Sequence, residues 1–339
     1  MCSLRLLLSD SYDPWFNLSL EEYIYKNIPK KQSILFLWRN QNTVVIGRAQ
    51  NAWKECNTRR MERDGIKLAR RNSGGGAVFH DLGNTCFTFI STQEHYDKSI
   101  SSNIVLNGLS YIGIKAIISG RNDIVIRTEN GEHRKISGSA YRETSGRKFH
   151  HGTLLLHVDI DKLDYYLNPD LKKLETKGIT SIRSRVANLN ELKPGINHQE
   201  VCLGLTEAFF QHYGMKVKPE ILSTDNFCKI PEFFKQFNKQ SDWNWNFGSA
   251  PAFTHQLDAR FDWGSVTLHC DIERGIIHRS HIFTDSLDPS PLEILAKKLV
   301  GIPYNNKSIL CCCKEWMQSW PQYKKELSEV SHWLIKTIS

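Results

Sequence analysis

An α+β fold, built as a large mixed α/β domain and a small C-terminal α+β domain, is what the sequence predicts, and three observations carry it. Over residues 4–156 short strand-like apolar runs alternate with amphipathic helical stretches. The cluster Trp243-Asn244-Trp245-Asn246-Phe247-Gly248, followed by Ala250-Pro251, reads as an aromatic-anchored linker. Beyond it come three strand-like runs and then helices from Pro291 onward. The expected division is a large domain over 1–245 and a small one over 246–339.

In chain order, strands of the large domain are expected over residues 4–9, 34–38, 43–46, 85–91, 123–127, 135–141 and 149–157. Helices are expected over 17–27, behind a polar cap and an acidic first turn, and over 102–112. Asn130-Gly131 separates two strand-like runs and marks a hairpin, because both residues tolerate positive φ. Residues 168–195 mix Lys, Arg, Ser and Gly with little periodicity and read as a long loop, a kind of segment that is usually functional or disordered. Asn197 to Glu200 make a capping-box-like start for a helix that Gly214 stops just after Tyr213. The small domain then offers strands over 255–263, 265–272 and 276–284.

Composition excludes several classes. Among 339 residues, 40% hydrophobic and 24% charged is an ordinary globular balance. The longest apolar runs, such as 6–8 and 34–38, fall far short of the 18 or so residues that a membrane span needs. Asp10, Asp13, Glu21 and Glu22 near the N-terminus are foreign to secretory and organellar leaders, so a cytoplasmic chain with no cleaved leader and no membrane association is expected. The nine cysteines are scattered, without the paired spacing of zinc sites or a disulfide scaffold. The run Cys311-Cys312-Cys313 cannot turn three thiols to one metal from a helix. The net charge of +8 favours anionic partners without singling out nucleic acid.

The densest chemical signal is Arg70-Arg71-Asn72-Ser73-Gly74-Gly75-Gly76-Ala77-Val78-Phe79-His80-Asp81. Three consecutive glycines let backbone N–H groups converge on an anion, and two arginines add fixed positive charge. The spacing is neither a Walker loop nor a Rossmann fingerprint. A hinge between strands is the other reading of the glycines, and the flanking arginines favour the anion site. A second signal is Arg121-Asn122-Asp123, followed across the hairpin by Lys135-Ile136-Ser137-Gly138-Ser139-Ala140, where small residues leave room for a lysine to lie in a cleft. A third is Phe149-His150-His151-Gly152, in which a strand would turn the two histidines to opposite faces.

In this order RRNSGGGAVFHDLGN, SGRND, RKISGSAYRE, HHGTLLL and KGITSIRSRVANL resemble the motif series of the bacterial lipoate-protein ligase A family. WNWNFG introduces a region that resembles that family's accessory domain, so the resemblance spans essentially the whole chain. Asn122-Asp123 with Lys135-x-x-Gly138 is also similar to the biotin protein ligases, which share the catalytic fold. The resemblance implies two-step acyl transfer. Lipoate and ATP form lipoyl-AMP and pyrophosphate, and a lysine of a lipoyl domain then takes the acyl group. The implied acceptors are the E2 subunits of 2-oxoacid dehydrogenases and the glycine cleavage H protein, in lipoate salvage.

On this reading Lys135 is the catalytic cation, lowering the repulsion between carboxylate and α-phosphate. Charge-assisted hydrogen bonds contribute roughly 1.5–3 kcal/mol each, so Lys135 and Arg71 together could account for several powers of ten in rate. The adenylate is expected on Arg71, Gly76, Ala77, Val78, Phe79, Lys135, Arg183 and Arg185, the last two folding over it from the long basic loop. Lipoate is expected on Arg71, Ser73, Gly74, Gly75, Lys135 and His150, its tail in an apolar lining that the sequence leaves unassigned. Mg²⁺ is expected with ATP, on ligands that stay unassigned, and no tightly bound prosthetic group is expected. A monomer that binds no nucleic acid completes the expectation.

Two alternatives compete. A transferase could take a preformed activated acyl donor, or pass the acyl group through a cysteine, but no cysteine falls in the Lys135 or His150 motifs and Cys86 reads as strand core. A nucleic-acid binder would use the positive charge, yet no recognisable module is present.

Overall fold

The structure is a computed structural model that describes residues 3–93, 96–120, 123–128, 131–168, 186–227, 229–249 and 251–338. Its elements run β1 (Ser3–Ser9), α1 (Pro14–Asn27), β2 (Gln32–Trp38), β3 (Thr43–Ile46), α2 (Ala52–Glu55), α3 (Thr58–Arg63), β4 (Lys67–Arg70), β5 (Val78–His80), β6 (Asn84–Ser91), α4 (Lys98–Tyr111), β7 (Ile117–Ser119), β8 (Asp123–Arg127), β9 (His133–Thr144), β10 (Arg147–Leu155) and α5 (Ile160–Tyr166). There follow α6 (His198–Tyr213), β11 (Pro219–Leu222), α7 (Thr224–Phe227), α8 (Pro231–Ser241), β12 (Phe253–Phe261), β13 (Gly264–Glu273), β14 (Ile276–Thr284), α9 (Ser290–Leu299), α10 (Asn306–Gln318) and α11 (Lys324–Thr337).

The chain forms two compact units, one of Met1–Arg48 with Ile66–Ser241, the other of Ala49–Gly65 with Asp242–Ser339. In the first, eight strands make a mixed sheet in the order β11-β1-β2-β6-β10-β9-β8-β7. Every residue of β2 and β6 is buried, which tells that both faces of the sheet are covered. One face turns Leu35, Leu37, Phe87, Phe89 and Leu154 toward α4 and α6. The other turns Phe36, Trp38, Cys86, Ile90 and Phe149 into a cluster that also holds Phe16 and Leu20 of α1 and Phe233 of α8. A small sheet, β4-β3-β5, belongs to this unit as well.

The expected hairpin is present as the antiparallel pair β8 and β9, with Gly131 at φ +80° and Asn130 outside the described residues. Asn197 caps α6 through the Glu200 N–H, and the helix ends at Gly214 in the left-handed region. Four short strands escaped the sequence reading, β4, β5, β7 and β11, each of three or four residues and too brief to show a period. β11 returns from far along the chain to pair parallel with β1, Leu6 opposite Pro219.

In the second unit β12, β13 and β14 form an antiparallel meander. Its core joins Val266, Leu268 and Ile272 to Leu295 of α9, Trp316 of α10 and Val330 of α11. Residues 244–248, in the stretch read as an aromatic-anchored linker, form one helical turn. The reason is aromatic packing: Trp53 lies 6.5 Å from Trp243, 5.4 Å from Phe247 and 5.6 Å from Tyr304, ring centre to ring centre. That contact ties Ala49–Gly65 into this unit, as do the bonds from Arg59 to the Lys336 carbonyl and from Asn306 to Glu62. Cys312 and Cys313 take core positions of α10 with Ile309 and Trp316, while Cys311 is exposed.

Candidate active site

The α1 face of the large sheet carries a cavity of about 640 Å³. One row of residues crosses its floor from strand to strand. Trp38 on β2 stands opposite Cys86 on β6, and Cys86 opposite Thr153 on β10. Thr153 accepts the Gly138 N–H of β9 at 3.4 Å, and Gly138 stands opposite Asp123 of β8. At 4.7–4.9 Å per strand the row spans roughly 19 Å. Leu18, Trp38, Val45 and Cys86 belong to its β2 and β6 side, whereas Asp123 and Lys135 supply charge at the β8 and β9 side. The cavity therefore suits a ligand with an apolar tail and an anionic head.

Lys135 owes its position to a bulge. Ile124 pairs with Ser137 and Val125 with Lys135, so β9 carries one extra residue, Ile136, and a bulge re-aims the side chains beside it. The Lys135 ammonium pairs with Asp123 at 2.7 Å, and both side chains keep about a fifth of their surface exposed. It also lies 3.2 Å from where a Cβ at Gly138 would stand, so the glycine leaves the lysine its room. Lys135 shares the cavity wall with Gly75 and Gly76.

The glycine loop is braced by the arginines before it. Arg71, buried, donates to the Gly74 carbonyl at 2.8 and 3.0 Å, to the Gly76 carbonyl at 2.7 Å and to the Val45 carbonyl at 3.2 Å. Arg70, fully buried, donates to the Gly47 and Arg48 carbonyls. Burial pushes the Arg71 guanidinium down to about 10, partly opposed by Glu21, and leaves it charged at neutral pH. Gly75 sits at φ +96°, where a side chain would be strained. Gly47 passes beneath it so closely that a Cβ there would meet the Gly75 oxygen at 2.3 Å. Gly74 to Gly76 are exposed, and Ala77 and Val78 continue the wall.

Behind the wall runs a buried polar chain. Trp38 Nε1 donates to Thr88 Oγ1 at 3.0 Å, and Thr88 donates to Glu21 Oε1 at 2.5 Å. Glu21 accepts from His151 Nδ1 at 3.0 Å, and His151 Nε2 meets Ser73 Oγ at 2.8 Å. A carboxylate oxygen accepts from Nδ1, and Nε2 faces the Ser73 hydroxyl. The chain fixes Ser73, the residue before the glycines. His151 itself lines the cavity.

The geometry corrects two site expectations and leaves two unaddressed. His150 turns to the other face, its Nδ1 2.7 Å from Ser101 Oγ and its ring 4.2 Å from that of Tyr141, so of the two neighbours it is His151 that lines the cavity. Phe79 also points away, buried against Tyr166 at 5.5 Å, because alternation along β5 gives the cavity to Val78 and His80. Arg183 and Arg185 lie outside the described residues, as do Arg121 and Asn122. Sequence reasoning missed His80, Glu21, Gly47 and the apolar wall. His80 stood inside the quoted glycine motif, two residues from Val78, and period two would have found it. Burial, before the nearby charge of Arg71, lowers its pKa to about 3, so it is neutral, with Asn40 donating to Nδ1 at 3.3 Å. Cys86, read as plain core, lines the cavity too. Burial first, then Glu21, raises its thiol well above the usual range, so it is protonated and a poor nucleophile. Among the described residues no group of three metal-binding side chains gathers, and no helix is long and apolar enough to cross a membrane.

Known proteins share this architecture. The lipoyl protein ligase A/B catalytic domain family matches residues 13–210, and the bacterial lipoate protein ligase C-terminus family matches residues 250–334. The sequence is 99% identical to lipoate-protein ligase A of Blochmanniella pennsylvanica (strain BPEN) and 65% identical to that of Blochmanniella floridana, over all of both chains in each case. Among solved structures, a P. falciparum protein in complex with lipoate is 32% identical at a TM-score of 0.63, covering 98% of this chain and 100% of that one. A bipartite lipoate protein ligase of Thermoplasma acidophilum, described with its E2 lipoyl domain, is 29% identical at 0.64, covering 74% and 98%. A lipoate-protein ligase A bound with ATP is 27% identical at 0.62, covering 74% and 100%.

Proposed function

The chain belongs to the lipoate-protein ligase A family, and from that premise we propose that its cavity joins lipoate to ATP and then hands the lipoyl group to a protein lysine. The observation that carries this reading is the joint presence, in one cavity, of Lys135, the glycine loop and an apolar end. The lipoate tail enters along Thr153 and Cys86 toward Trp38, Leu18 and Val45, which leaves its carboxylate near Lys135. The carboxylate attacks the α-phosphorus, pyrophosphate leaves, and the Lys135 ammonium lies where the two anions meet. Asp123 holds that ammonium in place.

Arg71, with Gly75, Gly76, Ala77 and Val78, forms the adenylate wall. The brace from Arg71 keeps the loop in shape, so its backbone donors need no rearrangement when charge develops. Arg71, Ser73, Gly74 and Gly75 stay assigned to the lipoate side, where His151 takes the place expected of His150. The family resemblance alone assigns Arg183 and Arg185 to the adenylate. Magnesium would arrive with ATP, its charge spread over the phosphates, with Asp123 as the cavity's carboxylate. In the second step the acceptor amine attacks the lipoyl carbonyl, AMP leaves, and an amide forms. The acceptors are lipoyl domains of 2-oxoacid dehydrogenase E2 subunits and the glycine cleavage H protein, in cytoplasmic lipoate salvage by a monomer.

Purified protein with ATP should release pyrophosphate only when lipoate is added. No release while preformed lipoyl-AMP is still transferred would replace this reading by a transferase, and release that ignores lipoate would overturn it. The protonated thiol of Cys86 already speaks against a cysteine acyl-enzyme.

A further inference from the structure

Four cations from separate segments gather at the edge of the glycine loop, outside the cavity. Lys239 of α8 donates to Asn72 Oδ1 at 3.4 Å, one residue before Ser73. Arg48, exposed just after β3, gives its backbone N–H to the Ser73 carbonyl at 2.9 Å. Arg142 lies two residues along β9 from Ala140, whose Cβ is 3.8 Å from where a Cβ at Gly75 would stand. Lys26, exposed on α1, shares the buried carboxylate of Glu22 with Arg142, at 3.3 and 2.7 Å. Among the charges that act on Lys239 are three cations, Lys26, Arg48 and Arg142, against one carboxylate, Glu22. Burial lowers the Lys239 pKa, Glu22 comes next and opposes it, and the three cations then lower it further.

We propose that Lys26, Arg48, Arg142 and Lys239 form the docking rim for the acceptor protein and receive a carboxylate-rich surface around its target lysine. None of the four lines the cavity, which has its own cations in Lys135 and Arg71. The guanidinium fork of Arg142 is already taken by Glu22 at 2.7 and 3.3 Å, so the rim acts as a spread field and not as a bidentate phosphate clamp. A broad field of this kind steers and orients an anionic protein face. Among the described residues a Cβ at Gly74 or Gly76 would meet nothing within 4 Å, so these residues leave the approach open. An acceptor seated on the rim could pass its lysine over the exposed glycines to the acyl group.

The inference rests on the ligase reading, and the test separates the two. The full chain carrying Arg48→Glu with Lys239→Glu, and a milder Arg48→Gln with Lys239→Gln, would be compared with the unaltered protein after thermal melts show native folding. Lipoate-dependent pyrophosphate release without acceptor should stay within about twofold, as should transfer from synthetic lipoyl-AMP to hydroxylamine. Transfer to a lipoyl domain at limiting concentration should fall in kcat/KM by about tenfold or more for the reversal and by a few fold for the neutral pair, with a weaker salt dependence. An equal fall in pyrophosphate release would assign these cations to ATP and overturn the docking rim, and unchanged kcat/KM for the acceptor would overturn it too. Absence of lipoate-dependent release from the unaltered protein would strike the ligase reading itself.

Discussion

Every buried histidine or charged side chain among the described residues, namely Glu21, Glu22, Arg70, Arg71, His80, His150 and His151, belongs to the first unit. The second unit buries Val266, Leu268, Leu295, Trp316, Val330 and their neighbours, with Asn51, Asn246 and Ser331 as its buried polar residues. A buried charge costs several kcal/mol unless it is paired or hydrogen-bonded, and the four acidic and basic side chains among the seven, Glu21, Glu22, Arg70 and Arg71, all have such partners. In the first unit Arg70, Arg71, Glu21 and His151 brace the glycine loop and its flanks, and His80 lines the cavity. The second unit follows the plain rule of an apolar core, and substitutions in the two units should fail in different ways.

The largest effect is expected in the second unit. Trp316 is fully buried and donates to the Pro291 carbonyl at 2.7 Å, so Trp316→Ala should remove about 3–5 kcal/mol of that unit's stability. Urea unfolding followed by far-ultraviolet circular dichroism reads this as an early transition. A variant of native stability would show that the core tolerates the void and that the comparison is misplaced. Lys135→Ala should behave the opposite way. The side chain is partly exposed, so stability should change by no more than about 1 kcal/mol. The rate of pyrophosphate release should drop by roughly 10²–10³, about 3–4 kcal/mol in barrier. Loss of folding with normal turnover per native molecule would reverse the assignment.

How far the sequence could be read follows from the range of each signal. The glycine loop, Lys135 with its small neighbours, the β8–β9 hairpin and the end of α6 are local, and each was visible in a dozen residues or fewer. The apolar wall was not, because Trp38 and Cys86 meet only through the pairing of β2 with β6, and Leu18 of α1 and Val45 of β3 join them only through tertiary packing. Which of His150 and His151 faces the cavity was equally hidden. Both faces of β10 are buried, so its apolar pattern does not say which face belongs to the helices α4 and α6. Ala49–Gly65 joins the second unit through the ring contacts of Trp53 and the bonds of Arg59 and Glu62, whose partners lie nearly two hundred residues or more along the chain, and no local pattern announces that.

Acid should sharpen the contrast by a smaller amount. Burial lowers the pKa of His80 and His150 to about 3 and that of His198 to about 4, all three in the first unit. Unfolded histidine titrates near 6.5, so between pH 6.5 and about 3 the unfolded chain binds protons that the folded chain refuses. The stability of the neutral forms is thus complete above pH 6.5 and drains as the pH falls through that window. For His80 and His150 the loss by pH 5 is on the order of 2 kcal/mol each. His150→Gln, which keeps a partner for Ser101, should therefore flatten the pH dependence of the first unit's unfolding between pH 7 and 5 by about that amount. An unaltered slope would mean that His150 takes up its proton while folded.

The smallest effect tests the alternation along β5. Val78 and His80 line the cavity, whereas Phe79 is 1% exposed and packs on Tyr166, although the sequence reading had placed it on the adenylate. Phe79→Leu keeps an apolar group of similar reach inside the same contact and should cost about 1–2 kcal/mol of stability. Since no atom of the ring is needed at the cavity wall, the KM for ATP and for lipoate should match the unaltered enzyme's. Val78→Asp, one residue earlier, brings a carboxylate to the wall where two anions must already meet, and it should raise the KM for ATP while leaving the first unit folded. A rise in KM for ATP in a natively stable Phe79→Leu protein would mean that the ring swings onto the nucleotide in the complex. In that case period two along β5 would not decide which residues reach the ligand, and the assignment of Val78 and His80 to the wall would have to rest on bound-state geometry instead.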